Sequence, residues 1–76
     1  MKVTVKLLGM LRKDRFKQQD FDIPEGTSAG NLLNELSVHL EEMKVCIITI
    51  NGEKSGPDTV LKGGDELMAF LPFGEG

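Results

Sequence analysis

Cys46 and His39 are the only cysteine and the only histidine in the chain, so any thiol or imidazole chemistry must be built around one of each. A single cysteine excludes an internal disulfide, a four-thiolate zinc site and a cysteine-ligated iron–sulfur cluster within the chain. Cys46 lies in an apolar run, so it reads as a small hydrophobe rather than a nucleophile. His39 has no cysteine or second histidine nearby to complete a metal constellation. It reads as a helix-end residue, where an imidazolium suits the negative end of the helix dipole.

The glycine-rich stretches fail as phosphate cradles. Gly52-Glu53-Lys54-Ser55 lacks an adjacent Gly-Lys pair, and Ile47 stands where a phosphate loop needs its first glycine. Gly63-Gly64 lies outside any strand-to-helix context and reads as a turn. Glu41 and Glu42 are adjacent, so they point apart on a helix and form a solvated end rather than an acid–base pair. Arg12, Lys13, Arg15 and Lys17 with Phe16 have the residue types that grip a phosphate backbone. However, the chain has a net charge of -3 and neither Trp nor Tyr to stack on bases, so a docking surface for an acidic protein is expected instead of nucleic-acid binding.

What remains is the C-terminus. After the last apolar alternation the chain continues Pro72-Phe73-Gly74-Glu75-Gly76, too short and glycine-rich to form an element. It is expected to project as a flexible tail able to thread its carboxylate into another protein's active site.

The elements that must carry this tail follow from periodicity. Residues 2–8 alternate Val3, Val5 and Leu7 with Lys2, Thr4 and Lys6, as in a half-buried strand. Phe21 and Ile23 alternate with Asp20 and Asp22 before Pro24, giving a second strand paired to the first through a charged loop at 12–17. Thr27 or Ser28 can cap a helix. Along that helix Ala29, Leu32, Leu33, Leu36 and Leu40 share one face. Gly30 within it costs roughly 1 kcal/mol relative to alanine and suggests a close approach to a strand. Residues 45–50 are apolar on both faces, which suggests a central strand, and end in Asn51-Gly52, a tight-turn dipeptide. Ser55-Gly56-Pro57-Asp58 and Lys62-Gly63-Gly64-Asp65 are further turns, between which Val60 and Leu61 can return to the core. Residues 66–71 make the last strand.

With 76 residues there is room for one domain and only a lean core. The expected organisation is a domain over 1–71 followed by a tail at 72–76. Strand, strand, helix, strand and strand describe an α+β fold of the β-grasp, ubiquitin-like kind, a mixed sheet of four to five strands with one helix across one face. The other sheet face must be wet or covered by a partner. No apolar run approaches the roughly 18 residues that span a bilayer, and the start alternates instead of forming a signal-peptide block, so a cytoplasmic protein away from membranes is expected.

These residues resemble a known family, the small ubiquitin-like sulfur carriers that include the small subunit of molybdopterin synthase and the thiamine sulfur carrier. Ile23-Pro24-Glu25-Gly26-Thr27 ahead of Leu32-Leu33 resembles the family's approach to its helix, and Ile50-Asn51-Gly52-Glu53 its central hairpin. The most specific similarity is Asp58-Thr59-Val60-Leu61-Lys62-Gly63-Gly64-Asp65-Glu66-Leu67, followed by Ala69-Phe70-Leu71-Pro72 and a glycine-containing tail, with the molybdopterin branch nearer. The resemblance implies a protein substrate rather than an enzyme, with no bound cofactor. A ubiquitin-activating-like adenylyltransferase would join the Gly76 carboxylate to AMP from ATP, and a sulfur donor would convert it to a thiocarboxylate for molybdopterin biosynthesis. Phe70, Leu71, Pro72, Phe73, Gly74 and Glu75 would contact that enzyme or the large synthase subunit.

The tail departs from the family's Gly-Gly ending. Glu75 places a second negative charge roughly 6 Å from the reacting carboxylate, which at an effective dielectric of 20 costs about 2 to 3 kcal/mol if uncompensated. The alternative function is a ubiquitin-like binding module that docks through the open sheet face and whose tail is not activated.

Overall fold

The alternation at the N-terminus becomes strand β1, Lys2–Leu7, with Val3, Val5 and Leu7 buried on one side. The computed structural model describes residues 1–8, 18–38 and 44–71. Strand β2, Gln18–Asp22, pairs antiparallel with β1 from Lys2↔Asp22 to Lys6↔Gln18, which is the expected hairpin. Helix α1, Ala29–Glu35, follows, then β3, Ile47–Ile50, β4, Glu53–Ser55, and β5, Glu66–Phe70. The strands form one five-stranded sheet in the order β2-β1-β5-β3-β4. First and last strands lie side by side and parallel, from Thr4↔Glu66 to Leu7↔Ala69, and every other pair is antiparallel. This is the expected α+β, β-grasp arrangement.

One side of the sheet contributes Val3, Val5, Leu7, Ile48, Ile50, Leu67 and Ala69 to the core. The helix and its flanks contribute Ala29, Leu32, Leu33 and Val38, and Ile23 and Leu61 close the ends. Complete burial of the valine, leucine and isoleucine side chains among them stabilises by roughly 1.5 to 3 kcal/mol each. They are the folding core of a chain with little apolar material to spare.

Four sequence expectations need correction. The strand after the helix is interior, but β5 occupies the middle of the sheet. Residues 47–50 are apolar on both faces because Ile47 pairs with Phe70 on the side away from the helix, not because the strand is central. The helix is also shorter than its leucine spacing suggests. It ends at Glu35, with Ser37 at φ 71, the Ser37 N–H donating to Asn34 O at 3.1 Å and the Val38 N–H to Leu33 O at 2.9 Å. That is the Schellman stop, with the buried Val38 and Leu33 supplying its apolar contact. A serine holds the left-handed position that glycine usually marks, so composition gave no stop signal. Leu36 is the C-cap, and Leu40 lies outside the described residues.

Gly30 approaches a turn rather than a strand. An added Cβ there would sit 2.9 Å from Pro57 Cβ and 3.0 Å from Pro57 O. The approach lets the 57–61 segment close the helix start. The Ala29 N–H donates to Thr59 O and the Gly30 N–H to Pro57 O, both at 2.8 Å, while Ser28 Oγ accepts from the Asn31 N–H at 3.1 Å. Three of the N–H groups that a helix start leaves without an intrahelical partner are thereby satisfied, and Ser28 rather than Thr27 is the cap. Because Ser28 bridges to Val60, Leu61 turns inward while Val60 is left 55% exposed, so only one of the two expected residues returns to the core.

A test follows from this contact. Gly30→Ala gains about 1 kcal/mol of helix propensity but overpacks Pro57, which typically costs about 1 to 3 kcal/mol. The expected net result is a lower unfolding midpoint in a thermal melt. A higher midpoint would show that the 57–61 segment yields without cost.

Candidate functional site

Strand β5 delivers the chain's end. As the middle strand it is fixed on both sides, by β1 through four parallel pairs and by β3 through four antiparallel ones. Leu67 and Ala69 point into the core at 0% exposure, so Glu66, Met68 and Phe70 must face the opposite side. At its far end the Leu8 N–H donates to Ala69 O at 3.1 Å, and Leu71 packs partly buried against the core. The last described residue is therefore anchored against the body of the fold.

The face away from the helix is divided. Over β1, β2 and the first residue of β5 it is polar: Thr4 Oγ1 donates to Asp20 Oδ1 at 2.7 Å, and Lys6 Nζ lies 3.5 Å from Glu66 Oε2. Over β5 and β3 it is apolar, with Met68 opposite Thr49 and Phe70 opposite Ile47, all four half-buried. Cross-strand pairs of this kind stabilise the sheet. They also form an apolar strip next to the last described residues of the chain. The sequence names Phe70 and Leu71 for partner contact but misses Ile47 and Met68, whose only signal is the alternation across 66–70 together with the apolar outward residue of β3.

The opposite end of β5 is held by a polar clamp. Asn51, at φ 55, donates from Nδ2 to Asp65 Oδ1 at 2.9 Å and accepts the Glu66 N–H at Oδ1, also at 2.9 Å. Its backbone N–H donates to Glu66 O at 2.9 Å, and Asp65 Oδ2 accepts the Lys62 N–H at 2.8 Å. The turn after β3 is thus tied to the first residues of β5, fixing the register of the strand that leads to the tail.

Of the remaining candidates, Cys46 is partly buried and packs against the core. Among the described residues no three His, Cys, Asp or Glu side chains are grouped to hold a metal. An open groove is lined by Met1, Glu25, Leu61, Lys62 and Gly63, none of which belongs to the apolar strip or to the expected site residues. No described helix is long and apolar enough to cross a membrane. The basic stretch at 12–17, His39, Glu41, Glu42, and the tail residues Pro72, Phe73, Gly74, Glu75 and Gly76 lie outside the described residues.

Comparison with known proteins places this geometry. The model of the ThiS family matches residues 5–76. SAMP1 of Haloferax volcanii is similar over the whole of both chains, with a TM-score of 0.80 at 19% identity. A Pyrococcus furiosus protein ascribed to molybdopterin converting factor as its subunit 1 is 26% identical, with a TM-score of 0.76 over 96% of this chain and 99% of its own. The complex of subunits 1 and 2 of molybdopterin-converting factor from Helicobacter pylori 26695 contains a chain similar over 100% of both, with a TM-score of 0.66 at 22% identity. No curated protein matches in sequence.

Proposed function

The chain belongs to the ThiS family, and from that membership we propose that it is a sulfur carrier for molybdopterin biosynthesis, acting as a protein substrate rather than as a catalyst. Residues 1–71 form the body that partners grip, and 72–76 form the arm that enters their active sites. A ubiquitin-activating-like adenylyltransferase consumes ATP to make an acyl-adenylate at the Gly76 carboxylate, releasing pyrophosphate. Hydrosulfide-level sulfur from a donor then attacks the acyl carbon, AMP leaves, and the new C–S bond makes a thiocarboxylate with no change of oxidation state, which the large synthase subunit uses as its sulfur source. Such chemistry suits a reducing cytoplasm, where the sulfur stays available for transfer.

The observation that carries this function is the apolar strip of Ile47, Met68 and Phe70 beside a middle strand whose end is pinned at Leu71. A partner seated on the strip holds the body while the tail reaches the reacting centre, so binding and chemistry are separated by a few residues. The similarity to a molybdopterin-converting-factor subunit at 26% identity supports the pathway.

Met68→Ala and Phe70→Ala truncate half-buried side chains on the docking face and leave the core intact. Each is expected to weaken binding to the adenylyltransferase or the large synthase subunit by about tenfold, the usual effect of an interface anchor. Lys2→Ser, an exposed change on the same face but in its polar half, is expected to leave affinity unchanged. Calorimetric titration checks both. Equal effects from the two halves would contradict docking through the strip.

A further inference from the structure

We infer that Asn51 is a deamidation site gated by the clamp to Asp65 and Glu66, and that its acidic product cannot rebuild that clamp. In Asn51-Gly52 the following residue has no side chain to obstruct attack by its backbone nitrogen on the Asn51 carboxamide carbon. The Gly52 nitrogen, having lost its proton to solvent, bonds to Cγ. The Cγ–Nδ2 bond breaks and ammonia leaves, so a five-membered succinimide links the two residues. Water then opens the ring at either carbonyl, giving aspartate or isoaspartate. The net change is amide plus water to acid plus ammonia, with no oxidation or reduction.

In the folded chain both ends of the carboxamide are occupied, Nδ2 by Asp65 Oδ1 and Oδ1 by the Glu66 N–H, each at 2.9 Å. The attack rotates the group about its Cα–Cβ bond and leaves neither hydrogen bond in place. The reaction therefore draws on chains in which the turn has opened away from β5, a local event that need not unfold the molecule. Once formed, an aspartate at this position presents a carboxylate where Asp65 needs a donor, and like charges at that separation repel. Isoaspartate adds a backbone atom to a turn whose Asn51 N–H is bonded to Glu66 O. Either product loosens the start of β5, the strand that carries the tail.

The test holds the intact protein in mildly alkaline buffer well below its unfolding midpoint and follows the amide-to-acid mass change at Asn51. A synthetic peptide of residues 47–55 serves as the ungated reference. The native chain is expected to react at least about tenfold more slowly than the peptide, since only the open population reacts. Asp65→Ala is expected to raise the native rate by about fivefold, the population change one such hydrogen bond is worth. Leu32→Ala, which lowers global stability without touching the clamp, is the control when compared at the same distance below its own midpoint. The inference is overturned by a native rate equal to that of the peptide, by equal acceleration in both variants, or by an Asn51 that stays intact in all three chains. The product is tested separately. Asn51→Asp is expected to lower the midpoint and added Asp65→Asn to recover it; absence of recovery would contradict the carboxylate conflict.

Discussion

Deleting Gly76 is expected to abolish ATP-dependent activation of the tail while leaving the thermal unfolding midpoint where it was. The two halves of this result have separate causes. Among the described residues the buried core runs from Val3 to Ala69, so removing the final glycine takes nothing from it. In the proposed chemistry, the acyl carbon that accepts AMP is that of Gly76. Deletion moves the terminal carboxylate onto Glu75, whose side chain must then enter a channel that glycine enters without a clash. ATP–pyrophosphate exchange with the adenylyltransferase measures the first half and a thermal melt the second. Undiminished exchange by the shortened chain would assign the acyl carbon elsewhere.

Glu75→Gly is expected to raise the rate of activation by an enzyme that accepts Gly-Gly tails by about a hundredfold, the equivalent of removing about 2 to 3 kcal/mol of repulsion between neighbouring carboxylates. Glu75→Gln separates charge from bulk, because it keeps the size and removes the repulsion. If charge dominates, it recovers most of the gain, and added salt narrows the difference between the natural tail and the Glu75→Gln tail by screening. Activity that appears only after Glu75→Gly would make the natural tail an off state. The chain would then be a ubiquitin-like module that binds without being charged with sulfur.

The sheet was legible in the sequence because its period is two and one face is buried: Val3, Val5 and Leu7 announce β1, and Leu67 and Ala69 announce the inward side of β5. The helix start was legible to within one residue, as Thr27 or Ser28, and the structure makes Ser28 the cap. Its end was not, because Ser37 takes the left-handed conformation without being glycine, and local composition does not show that Val38 and Leu33 drive the turn by packing together. Strand order was legible only through the fold that the element order suggests. Nothing in the apolar run at 47–50 says that Ile47 on β3 pairs with Phe70 on β5 on the outer face. Asn51-Gly52 signalled a turn, but the bonds from Asn51 to Asp65 and Glu66 join segments more than a dozen residues apart, and no pattern of short-range spacing reveals them. The docking half of the candidate site was therefore half readable, by Phe70 and Leu71 without Ile47 and Met68. The chemical half was read from residue types alone, at Gly74, Glu75 and Gly76.

The central claim is that sulfur is carried on Gly76. It is tested most directly by the intact mass of the protein isolated from its own cells and again after incubation with its adenylyltransferase, ATP and a sulfur donor, each read to the C-terminus by fragmentation. The expected result is replacement of one terminal oxygen by sulfur on Gly76, with Glu75 still in place. A plain carboxylate on Gly76 in both samples would contradict the carrier function and leave the binding module in its place.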